Sequence, residues 1–148
     1  MSGIIQRNAT GNQSTADFIS GLHIFLFDNH FQEAVFKNTT GAELILKPGS
    51  LVVRDIATPG QVTPAVDDAT IDNVIGIVFI EEEVTLAIGG SLAINYGIDG
   101  GIDESKLSFP GTVTLDTVAA TKAKTLRDNL NGQGFQLESS VQNTKYDN

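Results

Sequence analysis

The sequence of 148 residues contains no cysteine and no tryptophan. Without cysteine, the chain has no disulfide framework, no zinc–thiolate site and no cysteine nucleophile. Tyr96 and Tyr146 are the two tyrosines, so few rings are available for a platform that stacks sugars or single-stranded nucleic acid. A domain of this length buries roughly 70% of its unfolded surface and needs no covalent cross-links to fold.

Basic residues are also scarce. Nine lysines and arginines stand against 18 aspartates and glutamates, which gives a formal net charge of −9. An acidic chain without a basic patch is repelled by nucleic acid and by anionic membrane surfaces, so we expect neither as a partner. No apolar run approaches the roughly 18 residues that cross a bilayer. Residues 1–18 contain neither a basic segment nor an apolar core, so we expect no signal peptide.

The motifs that mark common catalytic sites are absent as well. The sequence contains no nucleophile elbow, phosphate loop, dinucleotide fingerprint or zinc-ligand spacing. The glycine pairs at 89–90 and 100–101 are not followed by a predicted helix, so they do not form a phosphate cradle at a helix N-terminus. We therefore predict no catalytic residues, no cofactor-binding residues and no cofactor, in a protein that is not an enzyme.

The central stretch, residues 74–107, carries the clearest secondary-structure pattern. Its short apolar runs are mostly β-branched and aliphatic residues that alternate with small or polar ones, which is typical of strands with one buried face. Three glutamates at 81–83 favour an exposed connection, and Gly89 and Gly90 suit a tight reversal because glycine adopts positive φ. We interpret the stretch as a β-meander. The predicted fold is mainly β, a compact barrel or sandwich-like meander.

Further strands are predicted on either side of this stretch. Residues 22–27 and 31–37 are apolar runs joined by turn residues at 28–29, which favours a strand and a return strand. Residues 135–141 are predicted to form the last strand.

Residues 42–53 contain two alternating apolar segments, separated by a type II turn at Pro48 and Gly49. Residues 54–69 are rich in proline and turn residues, and we predict an irregular, exposed loop. Four residues of that loop are candidate contacts to a sister copy or to another protein surface: Pro59, Gly60, Val62 and Pro64.

The pattern changes to a helical period near residues 117–131. Apolar residues such as Val118, Leu126 and Leu130 fall near one helical face, and Gly132 and Gly134 are stop signals. We predict one C-terminal helix there, within a single β-rich domain that covers residues 21–148.

Residues 1–20 consist mainly of Ser, Thr, Asn, Gln and Gly. A segment of this composition cannot bury enough surface to offset its own ordering entropy. We predict a flexible N-terminal arm that becomes ordered when it lies on a partner. Its predicted contact residues are Ile4, Ile5, Arg7, Phe18 and Ile19.

Two acidic loops and two histidines are the remaining candidates for chemistry. Asp67, Asp68 and Asp72 lie in a turn-rich segment, where we expect a solvated loop. Residues 99–104 lack the ligand spacing of an EF-hand, although a calcium site shared between loops or subunits stays an alternative. The two histidines, at positions 23 and 30, have the sequence context of structural residues. We predict no metal site.

Residues 42–109 follow a recognisable order of short segments. A strand ending in Pro48 and Gly49 leads to LVV and a weakly patterned loop. VIGIV, an acidic stretch and VTLAIGGSLAINYGI follow, and then GIDESKL at 101–107. This order resembles that of the head decoration proteins, or capsid cement proteins, of tailed bacteriophages, the group that includes the lambda-type decoration protein. The predicted helix and last strand extend beyond the compact lambda-type pattern.

The resemblance implies a structural protein of the virion. Such a protein binds the outer surface of an icosahedral capsid and stabilises it by clamping neighbouring subunits of the major capsid protein. In many members three copies associate as a homotrimer at a threefold or quasi-threefold position, with the N-terminal arm on the shell. The resemblance also implies a location on the outside of the virion, and in the host cytoplasm during assembly.

Three alternatives stay open. Another virion β-domain, such as a head-fibre base or a tail-associated domain, has the same acidic, cysteine-free composition. A glycan-binding module would use Tyr96 and the acidic loops with calcium. A hydrolase would use Asp67 or Asp72 together with Asp103.

Overall fold

The computed structural model describes residues 23–121 and 123–139. Within these ranges the chain is mainly β, with an α-helix, α1 (Leu126–Gln133), and 3₁₀ turns at Ile71–Asn73 and Glu104–Lys106. The strands are β1 (Phe25–Phe27), β2 (Phe31–Lys37), β3 (Leu44–Leu46), β4 (Leu51–Arg54), β5 (Gln61–Pro64), β6 (Val74–Phe79), β7 (Val84–Leu86), β8 (Ser91–Gly97), β9 (Gly100–Asp103) and β10 (Phe135–Glu138).

Five strands form a closed barrel in the order β2-β5-β4-β6-β8. Neighbouring strands are antiparallel, except that β2 and β5 run parallel. Because successive side chains of a strand point to opposite faces, alternate residues line the barrel interior. The buried residues of the interior form one apolar cluster: Phe36, Leu46, Val52, Val62, Val78, Leu86, Ile94 and Tyr96.

Tyr96 is the one member of this cluster that carries a polar group, and a glycine makes room for its ring. A β-carbon at Gly76 would collide with Cδ2 of Tyr96, so only glycine fits on the neighbouring strand. The Tyr96 hydroxyl donates a hydrogen bond to Oε1 of Gln32 over 2.9 Å. The buried hydroxyl is therefore satisfied, as a buried tyrosine requires.

A second layer covers part of the outside of the barrel. It consists of the sheet β1-β9-β10, in which β9 pairs antiparallel with β1 and parallel with β10, together with α1. Leu51 and Ile77 lie opposite each other on β4 and β6 and point outward into this layer, whereas the adjacent Val52 and Val78 point inward. The buried residues of the second cluster are Ile24, Leu51, Ala65, Ile71, Val74, Ile77, Ile102, Leu107, Val113, Leu115, Ala119, Leu126, Leu130 and Phe135.

The ends of α1 follow from local capping. The Thr125 side chain accepts a hydrogen bond from the backbone N–H of Asp128 over 3.2 Å, which is an N-cap. The helix ends at Gly134, whose φ of 108° is left-handed and favours glycine. The Asn129 side chain donates to the carbonyl oxygen of Ile71 over 2.8 Å and ties the helix to the first 3₁₀ turn.

β3 and β7 form a separate two-stranded ribbon, with Leu44 opposite Leu86 and Leu46 opposite Val84. Leu46 and Leu86 are buried in the same apolar cluster as the barrel interior. The ribbon is therefore held to the barrel by side-chain packing, although its strands do not pair with the barrel strands.

The predicted mainly β fold, with a barrel and one C-terminal helix, is confirmed. The exposed connection at residues 81–83 and the reversal at Gly89, whose φ is 72°, are also confirmed. The predicted arm, residues 1–20, lies outside the described residues.

The predicted β-meander over residues 74–107 is wrong. β6 and β8 pair directly with each other, while β7, which lies between them in the chain, pairs with β3. Burial explains this difference, because pairing with β3 places Leu86 beside Leu46 in the barrel cluster. Alternation of apolar and polar residues predicts where strands form, but it does not show which strands pair with each other.

The helix predicted near residues 117–131 begins later, at Leu126. Residues 117–121 and 123–125 are not helical: Ala119 donates its N–H to the carbonyl of Lys124 over 2.8 Å, and Val118 bridges to Thr125. Threonine is a poor helix former because its hydroxyl competes for backbone groups, and this segment contains three threonines, at 117, 121 and 125. Val118, predicted on the apolar helical face, is 54% exposed.

Two further predictions about strands need correction. The irregular loop predicted over residues 54–69 contains β5, which lies inside the barrel sheet between β2 and β4. The strand predicted over residues 22–27 begins at Phe25, and it pairs with β9, so β2 is not its return strand. β2 pairs with β8 and β5.

Candidate interaction surface

The outer face of β2 presents apolar side chains to solvent. Phe36 points into the barrel, so the residues at the opposite parity, Phe31, Glu33 and Val35, point outward. Phe31 is 41% exposed and Val35 is 42% exposed. Phe31 and Val35 thus lie on one outward face, on either side of Glu33, and exposed apolar side chains that share a face indicate a candidate interaction site.

The outward row continues across the neighbouring strands. Residues of β8 lie directly opposite those of β2: Asn95 opposite Glu33 and Ala93 opposite Val35. Phe79 of β6 lies opposite Asn95 on the other side of β8. These five residues and Phe31 form one face of the barrel wall, which we call the outer barrel surface.

Three phenylalanines cluster at one end of this surface. The ring centroid of Phe31 lies 5.0 Å from that of Phe25 and 4.9 Å from that of Phe79, and Phe25 lies 5.3 Å from Phe79. Phe25 and Phe79 pack edge to face, a favourable geometry for aromatic pairs. The cluster joins β1 to the outer wall of the barrel.

A groove of about 520 Å³ lies beside the cluster. Of the residues that line it, Glu33 alone is charged. Gly60 lines the groove as well, and its carbonyl oxygen accepts a hydrogen bond from the N–H of Val35 over 3.0 Å. The turn at Pro59 and Gly60 is exposed, and it adjoins the outer barrel surface through Gly60.

The chain enters the described body next to the same surface. Ile24 is buried in the second cluster, and the following residue, Phe25, is part of the phenylalanine cluster. Two more apolar side chains of β1 are exposed here, Leu26 by 37% and Phe27 by 42%. The segment predicted to be an arm, residues 1–20, therefore ends five positions before Phe25, whose ring packs against Phe31 of the outer barrel surface.

No protein-family model matches this sequence, and no curated protein matches it.

The predicted loop contacts divide into two pairs. Pro59 and Gly60 are exposed and lie beside the outer barrel surface. Val62 is only 2% exposed, because it points into the barrel interior, and the prediction that it lies in an exposed loop is wrong. Pro64 is half-buried opposite Val52, so it too is part of the barrel wall.

The predicted arm contacts all lie outside the described residues: Ile4, Ile5, Arg7, Phe18 and Ile19. Their role stays a prediction.

Asp67 and Asp103 are bonded within their own segments, whereas Asp72, predicted to lie in a solvated loop, is buried and accepts a hydrogen bond from Thr121, 49 positions away. Oδ1 of Asp67 accepts the N–H groups of Ala69 and Thr70 over 3.1 and 3.0 Å. Asp103 is 2% exposed and caps the second 3₁₀ turn through Ser105. Within residues 23–121 and 123–139, no group of three or more His, Cys, Asp or Glu residues has an arrangement that would hold a metal ion.

His30 and Tyr96 have partners inside the protein. The Nδ1 atom of His30 lies 2.9 Å from Oδ1 of Asp99, which also accepts the backbone N–H of His30. Tyr96 is 3% exposed, so it has no open ring face for the sugar that the glycan-binding alternative places on it. Of the helices formed by the described residues, none has the length and apolar character that a membrane span needs.

Sequence reasoning missed the outer barrel surface. The segment FQEAVFK was interpreted as a strand, but not as one with apolar residues on both faces. In a barrel strand one of those faces must point outward. Apolar residues at both odd and even positions of one strand, such as Phe31 and Phe36, are therefore the signal that would have revealed the outer barrel surface.

Proposed function

We propose that this chain is a decoration, or cement, protein that binds the outer surface of an icosahedral phage capsid and stabilises it by clamping neighbouring major capsid subunits. The order of segments over residues 42–109, which resembles the tailed-phage decoration proteins, is the first support. The proposal includes a homotrimeric arrangement on the shell and does not include catalysis or nucleic-acid binding.

The observation that carries the proposal is the position of the outer barrel surface beside the chain entry. The arm predicted over residues 1–20 is followed by Phe25, which packs against Phe31, and the outer barrel surface exposes Phe31 and Val35. In the proposed complex the arm and this face contact the same shell, and the arm adds backbone pairing to an exposed strand edge of a capsid subunit.

The energetics of such a contact suit a lattice. Fully burying one apolar side chain of this size contributes about 1.5–3 kcal/mol, so a few half-exposed side chains give a weak single contact. Each chain would contact the shell at two sites, and neighbouring copies would also hold one another. Both effects raise the effective concentration of the protein at every position of the lattice. A protein that binds the mature shell better than its alternatives stabilises that shell by mass action.

The negative charge fits a crowded particle surface. With a formal net charge of −9, copies repel one another and neighbouring particles at long range. The groove lining on the outer barrel surface, by contrast, contains one charged residue, Glu33, so docking buries little charge.

The decisive experiment is to locate the chain on purified particles of the virus that encodes it, by gold-labelled antibody and electron microscopy. Label spread evenly over the capsid is the expected result. Label at a single vertex or on the tail would replace the proposal with the head-fibre or tail-domain alternative. Complete virions without the protein on their exterior would refute all three.

A further inference from the structure

The turn between β4 and β5 presents an apolar side chain to solvent. Ile56 is 91% exposed, the highest value among the exposed large apolar residues of the described chain. The turn that carries it is fixed by hydrogen bonds. Oδ1 of Asp55 accepts the N–H of Ala57 over 3.0 Å, and Oδ2 accepts the side-chain N–H of Gln61 over 2.7 Å. The backbone N–H of Asp55 also donates to the carbonyl oxygen of Gln61 over 3.0 Å.

An apolar side chain on a hydrogen-bonded turn has the properties of a binding anchor. Because the turn is already ordered, docking it costs little of the entropy that ordering a free loop requires. Residues 57–60, which follow Ile56 in the turn, are exposed as well. We call this turn, residues 55–60, the Ile56 knob.

A recess of matching character lies on another part of the same chain, between β3, the end of β5 and residues 108–110. Its volume is about 200 Å³. Pockets that hold small molecules measure roughly 300–1,000 Å³, so this smaller recess suits a single side chain. Lys47 is the charged residue of the lining, and the other lining residues are apolar except for two serines. Ile45 is 49% exposed, and Pro64 and Phe109 are half-buried, so apolar surface is accessible here. We call this recess the β3 socket.

The charges beside the knob and the socket are complementary. Arg54 directly precedes the knob, Glu43 directly precedes β3, and both residues are exposed. Neither takes part in an ion pair within residues 23–121 and 123–139. A guanidinium group and a carboxylate attract each other when two surfaces bring them together, and such a pair fixes orientation more than it adds affinity.

We propose that the Ile56 knob of one copy of this chain docks in the β3 socket of a second copy, with Arg54 of the first copy facing Glu43 of the second. A second copy is the fitting occupant because both halves of the contact belong to this chain. Knob and socket are different surfaces, so the contact is heterologous, and heterologous contacts close into a ring or continue as a filament. The inference rests on the homotrimer of the proposed function, since the ring it assigns to this contact has three members.

The test is disulfide cross-linking of the capsid-free full chain, in which every cysteine is an introduced one. Protein with Ala57→Cys, beside the knob, is mixed in equal amounts with protein with Lys47→Cys, in the socket, and oxidised with copper phenanthroline. Both positions are exposed. Random encounters would give as much mixed dimer as like dimers together. We expect an excess of the mixed dimer of at least about tenfold, the factor that docking of one apolar side chain supplies.

Mass spectrometry of the cross-linked peptides measures this ratio. Ile88→Cys replaces Lys47→Cys in the control mixture, because Ile88 is 68% exposed and lies outside the socket. The control should give the random ratio. A random ratio with Lys47→Cys, or an excess of either like dimer, would overturn the proposal.

Two further changes test the anchor and the orientation. Ile56→Ser, added to the Ala57→Cys chain, should return the mixed dimer to the random ratio, and an unchanged excess would refute the knob. Arg54→Glu in the same chain should reduce the excess, and Glu43→Arg in the Lys47→Cys chain should restore it. Absence of that rescue would refute the proposed orientation. A chain that carries Ala57→Cys and Lys47→Cys together should give cross-linked species that end at the trimer, and larger species would refute the ring.

This contact and the capsid proposal fail separately. The cross-link is measured without capsids, so its absence, with antibody label spread over the capsid, would end the knob-and-socket contact alone. A cross-link in the free protein, with particles that carry no label, would end the capsid proposal alone.

Discussion

The ring of Phe25 lies against Gly97, in the space that a β-carbon would occupy. This contact joins two layers, because Phe25 belongs to the sheet β1-β9-β10 and Gly97 ends a strand of the barrel. It also sets the place of the phenylalanine cluster, since Phe31 lies opposite Gly97 on β2. Several measurable consequences depend on contacts of this kind.

Replacing Gly97 by alanine should destabilise the protein. The new methyl group would overlap the ring of Phe25, and forcing extra volume into a packed contact costs about 1–3 kcal/mol. Urea denaturation, monitored by circular dichroism, measures the change. Gly132→Ala is the matched control, because Gly132 lies in α1 with no atom near its missing β-carbon. That substitution should raise the free energy of unfolding by about 0.4–1 kcal/mol. Equal effects of the two substitutions would contradict the Phe25 contact.

Asn38 should be essential for the stability of the ribbon. It is 1% exposed, and its Nδ2 atom donates to the carbonyl oxygens of Ala42 (2.7 Å), Leu86 (3.3 Å) and Ala87 (3.1 Å). Asn38→Asp keeps the shape but turns the donor into an acceptor. We expect a loss of about 1–3 kcal/mol from the unpaired buried groups, measured by thermal unfolding.

The neighbouring Thr39 is exposed and provides the control for that experiment. Thr39→Ala should change the free energy of unfolding by less than about 0.5 kcal/mol. A stability of Asn38→Asp within that same margin would show that these hydrogen bonds do not hold the ribbon.

Charge on the outer barrel surface should weaken the proposed capsid contact. Val35→Glu places a carboxylate at a position that is 42% exposed, so the fold is kept while docking would bury an unpaired charge. We expect binding to capsids that lack the protein to fall at least about tenfold, which is 1.4 kcal/mol, in a co-sedimentation assay. Val66→Glu, at a position 44% exposed in a different loop, should bind as the unchanged protein does. A loss of binding in both variants would point to net charge rather than to this surface.

Removing residues 1–20 should leave a folded body that binds capsids poorly. Among the described residues, those of the barrel and of the second layer form two extensive apolar clusters between them, so we expect the melting temperature to change little. Capsid affinity is the measurement, with removal of residues 143–148 as the control truncation. Full affinity of the protein without residues 1–20 would end the proposal that they form a binding arm.

Capsids that lack the protein should release their DNA at a lower temperature than decorated capsids. A protein that binds the mature shell shifts the equilibrium away from the opened shell, and added protein should restore the release temperature as its concentration rises. The fluorescence of a DNA-binding dye measures the release of DNA during heating. The measurement is repeated after stabilising cations have been removed with a chelator. Identical curves with and without the protein would exclude a clamping role.

The strands could be predicted from the sequence, whereas their partners could not. Phe31–Lys37 was predicted with the observed bounds because turn residues stand at both ends of this partly apolar segment. Val62 was assigned to an exposed loop because Pro59, Gly60 and Pro64 surround it, and proline and glycine normally mark turns. In the structure the proline ends β5, and burial of Val62 between β2 and β4 outweighs the local pattern.

The candidate site was predicted only in part. The turn at Pro59 and Gly60 was named as a contact and does lie beside the outer barrel surface. Phe31 and Val35 were not named, because a strand pattern does not tell which face a closed barrel turns outward. Asp72 was interpreted as part of a solvated loop, yet it is buried, since the contact with Thr121 joins residues 49 positions apart in the chain.

The parallel pairing of β2 with β5, which joins Val35 to Gln61 and Phe36 to Val62, closes the barrel, so none of its five strands is an edge strand. Among the described strands, those at sheet edges are β1, β3, β7 and β10, and each is only three or four residues long. Short edges are poor templates for adding another strand. Molecules that are made in many copies and crowded together would therefore resist amyloid-like growth.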